Sequence, residues 1–206
     1  AGALTVTGIA NGDETAALTA FTATKTGATT VTLTATDTNW SVTAATLNTA
    51  LNTKKILLAG DLTVTGIDSV YETSTLDDYT NANTGADTIK LSALDNNWSI
   101  AASTLTTILG DGVRLADALT VTGIANGNET AALTAYTSAK TGATTVTLTA
   151  SDTVWSVTAA NLTTALAADV RFAGTMTVTD IANSDETAAL TAVSYTHLRA
   201  HETKCY

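Results

Sequence analysis

The sequence predicts an α/β fold wound as a solenoid of about seven coils, each 28–29 residues long, with parallel strands and one short helix per coil. A mainly-β parallel solenoid is the alternative. Three observations lead there. The first is self-similarity. "LTVTGIANGDETAALTAFTATKTGATTVTLTATDTNWSVTAATL" from Leu4 returns almost unchanged from Leu119, in diverged form from Leu62, and again as "MTVTDIANSDETAALTA" from Met176, at spacings of 58, 57 and 57 residues. The second is that each unit divides again, since "LTVTG" at Leu4 aligns with "LTATD" at Leu33. Registers then fall at Leu4, Leu33, Leu62, Leu91, Leu119, Leu148 and Met176, and a period held this evenly is the mark of stacked coils. The third is alternation: "ALTVTGI" sets Leu4 and Val6 to one side and Thr5 and Thr7 to the other, as in a half-buried strand.

The elements follow in order. "NGDETAALTAF" combines turn residues with an acidic start suited to a helix N-terminus, and Leu18, Phe21, Ala17 and Ala20 form its apolar stripe. Gly27, Gly85 and Gly142 mark the turn out of this first coil type, where a positive φ is easiest for glycine. The second coil type, "LTATDTNWSVTAATLNTAL", reads as a strand, a turn at Asp37–Asn39, a short "WSV" strand, and a helix capped by Thr43. Leu47, Ala50 and Leu51 are its stripe. "KILLAG" then alternates through Ile56 and Leu58. Parallel stacking is expected, because each strand meets its equivalent after a full coil. On this reading the leucines of successive registers meet in one column. Helices this short depend on tertiary packing.

About a quarter of the 206 residues are Thr, there is no Pro, and the formal charge is −10. High apolar content argues against disorder. The acidity excludes a basic face for nucleic acid or anionic lipid. No apolar run is long enough to span a membrane. A single Cys makes no internal disulfide. The start at Ala1-Gly2, with the only Met at Met176, suits an internal piece of a longer polypeptide. Neither end carries an atypical capping repeat, so exposed terminal coils are expected to favour end-to-end association.

Several repeated side chains are candidates for a site. Trp40, Trp98 and Trp155 recur once per double coil, as do Phe21, Tyr79 and Tyr136; stacked aromatics can bind sugars, but core packing is the preferred reading. Asp37, Asp95 and Asp152 stand in turns and Glu14, Glu72, Glu129 and Glu186 at helix starts. Turn and cap roles are preferred there. Ca2+ is the one cofactor such a carboxylate ladder suggests, and no calcium loop is present. If the "TVT" strands stack in register, Thr5, Thr7, Thr63, Thr65, Thr120, Thr122, Thr177 and Thr179 become ranks of outward hydroxyls. Those ranks are similar to the T-x-T lattice of ice-binding solenoids. The intervening coils supply Thr34/Thr36, Ser92/Leu94 and Thr149/Ser151, so Leu94 interrupts the rank.

The end of the chain, "VSYTHLRAHETKCY", breaks the period. His197, His201 and Cys205 have helical spacing for Zn2+, but Leu198 stands where a zincin needs Glu. Val193 to Thr203 resembles a translated sequencing-library adapter, with Lys204-Cys205-Tyr206 as index sequence. Residues 193–206 are therefore read as a non-native tail on a metagenomic fragment. That tail has Arg199, Lys204 and Glu202, a net +1, which leaves the rest of the chain at −11.

Residues 1–192 are read as one repeat array, which resembles the Thr-, Ala- and Asp-rich repeats of large secreted or surface-anchored bacterial proteins of adhesin type. "LTVTGI" and "WSVTAATL" bear the resemblance. It implies a rigid spacer or adhesive segment at the cell surface. Its partners would be a cell-surface, matrix or carbohydrate ligand and neighbouring repeats, without nucleic acid or membrane insertion. With the tail set aside there is no His or Cys, no phosphate loop and no nucleophile–base pair, so no catalytic site can be assembled and an enzyme is not expected. A calcium-stiffened adhesin is a further alternative.

Overall fold

The computed structural model describes residues 2–54, 56–68, 76 and 78–182, with the backbone alone over 52–54. The chain is α/β, with two all-parallel sheets and short helices, and divides into two compact units between Ala118 and Leu119.

In the first unit, β1 (Leu4–Ile9) leads through α1 (Glu14–Ala20) and α2 (Ala23–Thr26) to β2 (Val31–Thr43). After α3 (Ala44–Lys54) comes β3 (Ile56–Ile67), then α4 (Asn81–Thr84) and β4 (Thr88–Ala93). β5 (Asn97–Ala101), α5 (Ala102–Gly110) and β6 (Val113–Leu115) complete the unit. Five of these strands form one sheet in the order β1-β2-β3-β4-β6. Sequence neighbours thus lie side by side with helices between them, as parallel pairing requires. The second unit repeats the plan with β7 (Ala118–Ile124), α6 (Glu129–Ala135), α7 (Ser138–Thr141), β8 (Thr145–Thr158), α8 (Ala159–Ala167) and β9 (Val170–Thr179). There β7, β8 and β9 are neighbours in that order.

The expected leucine column does not form. Leu4 lies opposite Val31, and Leu33 lies opposite Val6 on one side and Leu58 on the other. Leu62 is flanked by Trp40 and Ile89, and Leu91 by Val64 and Leu115. Ladder partners are therefore 27 residues apart from Leu4 to Val31, 25 from Val31 to Ile56 and 22 from Trp40 to Leu62. The reason is that the two connections in a double coil differ in length, one holding two helices and the other a single one. A shift of two residues keeps every side chain on its own face, so the alternation survives the change of partner. Val31, Leu33, Leu58, Val64 and Leu91 are all fully buried.

A second difference lies at Asp37–Asn39, where a turn was expected to separate two strands. β2 runs straight through, with residues 35–38 bulged opposite the single residue Gly60 of β3. The same occurs in β8, where residues 150–153 face Gly174 of β9. Only the middle copy breaks into two strands, β4 and β5, around Asp95 and Asn96. Such bulges bend a strand and raise its local twist.

The helices cover the sheets with narrow stripes: Ala17 and Leu18, Leu47 and Ala50, Leu105 and Ile108, Ala132 and Leu133, Leu162 and Ala165 are buried. Ala20, expected in the first stripe, is exposed, and Phe21 and Leu51 are half-buried. Thr43 caps α3 as expected, its hydroxyl accepting from the Thr46 N–H. Asp13, at the N-cap of α1, makes no side-chain cap; instead Glu14 reaches back and accepts the Gly12 N–H at 3.0 Å. Gly27, Gly85 and Gly142 do adopt positive φ, at 69°, 77° and 81°, each closing a four-residue helix, α2, α4 or α7.

Candidate functional site

Each repeated polar or aromatic group can be placed by its partners. The three tryptophans face inward and are at most 1% exposed. Their indole N–H groups donate to equivalent carbonyls: Trp40 to Ala59 at 3.1 Å, Trp98 to Ala116 at 2.8 Å and Trp155 to Ala173 at 3.0 Å. A buried indole needs such an acceptor. Phe172 packs edge-on to Trp155, with ring centroids 5.1 Å apart. Tyr79 and Tyr136 are also buried. The Tyr79 hydroxyl donates to Asn48 Oδ1 at 2.8 Å, and burial pushes its pKa up to about 12. The three tryptophans, Tyr79 and Tyr136 are thus buried in the core rather than aligned on the surface as a strip.

The turn carboxylates bond locally. Asp37 Oδ1 accepts the Asn39 N–H at 3.0 Å, and Oδ2 accepts the Asn11 amide at 2.7 Å. Those bonds, led by the Asn39 N–H, hold its pKa below the ordinary value. Asp152 repeats the set with the Val154 N–H and Asn126, and Asp95 accepts from the Asn97 N–H. The bond to the backbone two residues on is the one expected of Asp, but at Asp37 and Asp152 it is made inside a bulged strand and only at Asp95 in a turn. Among the described residues, no group of three His, Cys, Asp or Glu side chains is placed to hold a metal ion. Glu129 repeats the Glu14 bond, to the Gly127 N–H. Glu72 and Glu186 lie outside the described residues, as do His197, His201, Cys205 and the rest of 193–206.

The remaining candidate is the outward threonine face. Thr5, Thr7, Thr177 and Thr179 are exposed, and Thr63, Thr65, Thr120 and Thr122 are half-buried. Strand alternation puts all eight on the side away from Leu4/Val6 and their equivalents. Within a unit the ladder separates these pairs. Thr5 is beside Thr32, which is beside Leu57. Thr63 lies between Ser41 and Lys90, and Lys90 is beside Arg114. Thr177 and Thr179 are beside Ser156 and Thr158. At Thr5 and at Thr63 the surface thus offers a short hydroxyl pair, bounded by Leu57 in the first case and by Lys90 in the second. Leu94 projects from its bend at 67% exposure. The cationic boundary is the feature that sequence reasoning missed. It was legible as "TIK" and "VR", but only with the correct register.

Among the described residues, no helix is long and apolar enough to cross a membrane. No protein-family model, no curated protein and no solved structure matches the chain.

Proposed function

We propose that this chain is a non-enzymatic structural or adhesive repeat segment of a large extracellular bacterial surface protein. It would act as a rigid spacer or interaction surface, wound as an α/β solenoid of about seven coils. One observation carries the reading: the bond from a buried indole to an alanine carbonyl is remade at Trp40, Trp98 and Trp155. A junction copied in each repeat serves to build length, whereas a catalytic cleft is made once. The net charge of −10 favours solubility and disfavours nucleic acid as a partner. The ligands that fit the role are cell-surface, matrix or carbohydrate groups, together with neighbouring repeats. Small-angle scattering tests the spacer. Insertion of one further 57-residue repeat should lengthen the particle by about 10 Å, two strand spacings. A particle that grows equally in all directions would rule the spacer out.

A second reading, ice binding, is favoured by the outward position of all eight T-x-T threonines. Short rows such as Ser41–Thr63–Lys90 limit the extent of any lattice. Thermal hysteresis measured on residues 1–192 discriminates: no activity at high protein concentration removes this reading.

A further inference from the structure

Each unit has an asparagine followed by glycine in the loop that enters its first helix: Asn11-Gly12 between β1 and α1, and Asn126-Gly127 between β7 and α6. The pair is chemically labile, because glycine has no side chain to shield its nitrogen from the preceding asparagine Cγ. All four residues are exposed. No atom lies within 4 Å of where a β-carbon on either glycine would stand, so bulk gives no protection. Hydrogen bonds do. Asn126 Nδ2 donates to Asp152 Oδ2 of β8 at 2.7 Å, and the Gly127 N–H donates to Glu129 Oε2 at 2.7 Å. Asn11 and Gly12 repeat both bonds, to Asp37 of β2 at 2.7 Å and to Glu14 at 3.0 Å. The Asn128 N–H closes the turn around its pair by donating to Ala125 O at 3.0 Å, as Asp13 does to Ala10 O in the first unit.

We propose that Asn11 and Asn126 are latent deamidation sites, locked by these bonds and released when the loop parts from the neighbouring strand. Reaction requires the Gly127 nitrogen to lose its proton and bond to Asn126 Cγ, after which Nδ2 takes up a proton and leaves as ammonia. Water then opens the cyclic imide to aspartate or isoaspartate, so one water is consumed and one ammonia released. The fold opposes both halves of the attack. A carboxylate beside the Gly127 N–H disfavours its deprotonation. The charge-assisted bond to Asp152 must break before the amide can swing over the backbone. Once made, the change is permanent: a carboxylate at position 126 would face Asp152 where a donor stood, and repulsion would replace the tie between loop and strand. The middle copy has Ser69-Val70 at the equivalent positions and no amide to lose. Each site thus records an opening between coils as a lasting negative charge. The proposal rests on bonds within each unit and holds whether or not the spacer role does.

The test incubates the full chain at neutral pH and follows deamidation at each asparagine by peptide mass spectrometry, beside a synthetic peptide of residues 121–134 (VTGIANGNETAALT). Asn126 should react about tenfold or more slowly in the chain than in the peptide, since only the opened loop is competent. Asp152→Ala should accelerate Asn126 by about tenfold and leave Asn11 unchanged. Glu129→Gln keeps an oxygen acceptor for the Gly127 N–H without its charge, and should also accelerate Asn126 alone. Equal rates in chain and peptide overturn the proposal. A faster rate in the chain overturns it too, by making Glu129 a base that assists the attack. Acceleration of Asn11 as large as that of Asn126 in Asp152→Ala also overturns it, because the lock would then be the global fold and not this bond.

Discussion

Gly60 packs against the carbonyl of Thr38 with no room for a β-carbon between them. Gly60 has φ 102° and Thr38 has φ 61°, so two left-handed residues on adjacent strands form one corner. The second unit repeats it with Gly174 at 109° against Thr153 at 62°.

Alanine at Gly60 or Gly174 meets both a strained backbone and a collision with a carbonyl. Each substitution should destabilise by about 3 kcal/mol or more in urea unfolding. Alanine at Gly27 has the same sign of φ and open space around it, and should cost only about 1–2 kcal/mol. Equal losses at Gly60 and Gly27 would show that the contact with Thr38 does not matter.

Thr38 is β-branched and holds a φ that such residues rarely adopt. The middle copy places Asn96, with φ 61°, at the equivalent position. Thr38→Asn should therefore stabilise the protein by about 0.5–1 kcal/mol, less whatever is lost with the Thr38 hydroxyl bond to Asp37 O. A lower urea midpoint in the variant would contradict the strain.

Trp98→Phe leaves the Ala116 carbonyl without its indole donor and should cost about 1–3 kcal/mol. Trp98→Ala adds a cavity and should cost about 3–5 kcal/mol. The three indoles of the intact chain should also resist acrylamide quenching, since all are buried. Quenching as strong as that of free tryptophan would contradict their placement.

Tyr79 gives stability an alkaline limit. Its folded pKa, about 12, lies above the ordinary 10.0 because burial disfavours the phenolate and Asp78 repels it. The unfolded chain ionises first, so the contribution is complete below pH 10 and is lost as pH rises toward 12. Urea midpoints at pH 9 and pH 11 should differ less in Tyr79→Phe than in the parent. The same variant should cost about 1 kcal/mol at neutral pH through the lost bond to Asn48.

Asp37 acts in the opposite direction. Its pKa is depressed below 3.8, first by the Asn39 N–H and then by Asn11. Its contribution is present above that value and disappears as pH falls through the lower folded pKa. Asp37→Asn should make acid unfolding begin from a less stable state with a shallower pH dependence. Because both carboxylate oxygens already accept protein donors, adding Ca2+ or EDTA should leave the melting temperature unchanged. A shift would revive the calcium-stiffened reading.

Much of the fold was legible in the residues. The 57–58-residue spacing named the equivalent positions, and the alternation in "LTVTGI" put Leu62 and Val64 inside and the threonines outside. The glycines at 27, 85 and 142 marked left-handed exits. The short helices α2, α4 and α7 went unread, although a threonine cap and a closing glycine bracket each of them. Thr22, for example, accepts the Lys25 N–H ahead of Gly27. The threonine face was legible as a set of outward side chains but not as a set of neighbours.

Periodicity and parity were properties of the sequence alone, because side-chain type at each position decides which face can be buried. The choice of Val6 rather than Leu4 opposite Leu33 belonged to the tertiary structure. Both choices bury the same face, and only the packed length of each connection, together with the corner at Thr38 and Gly60, distinguishes them.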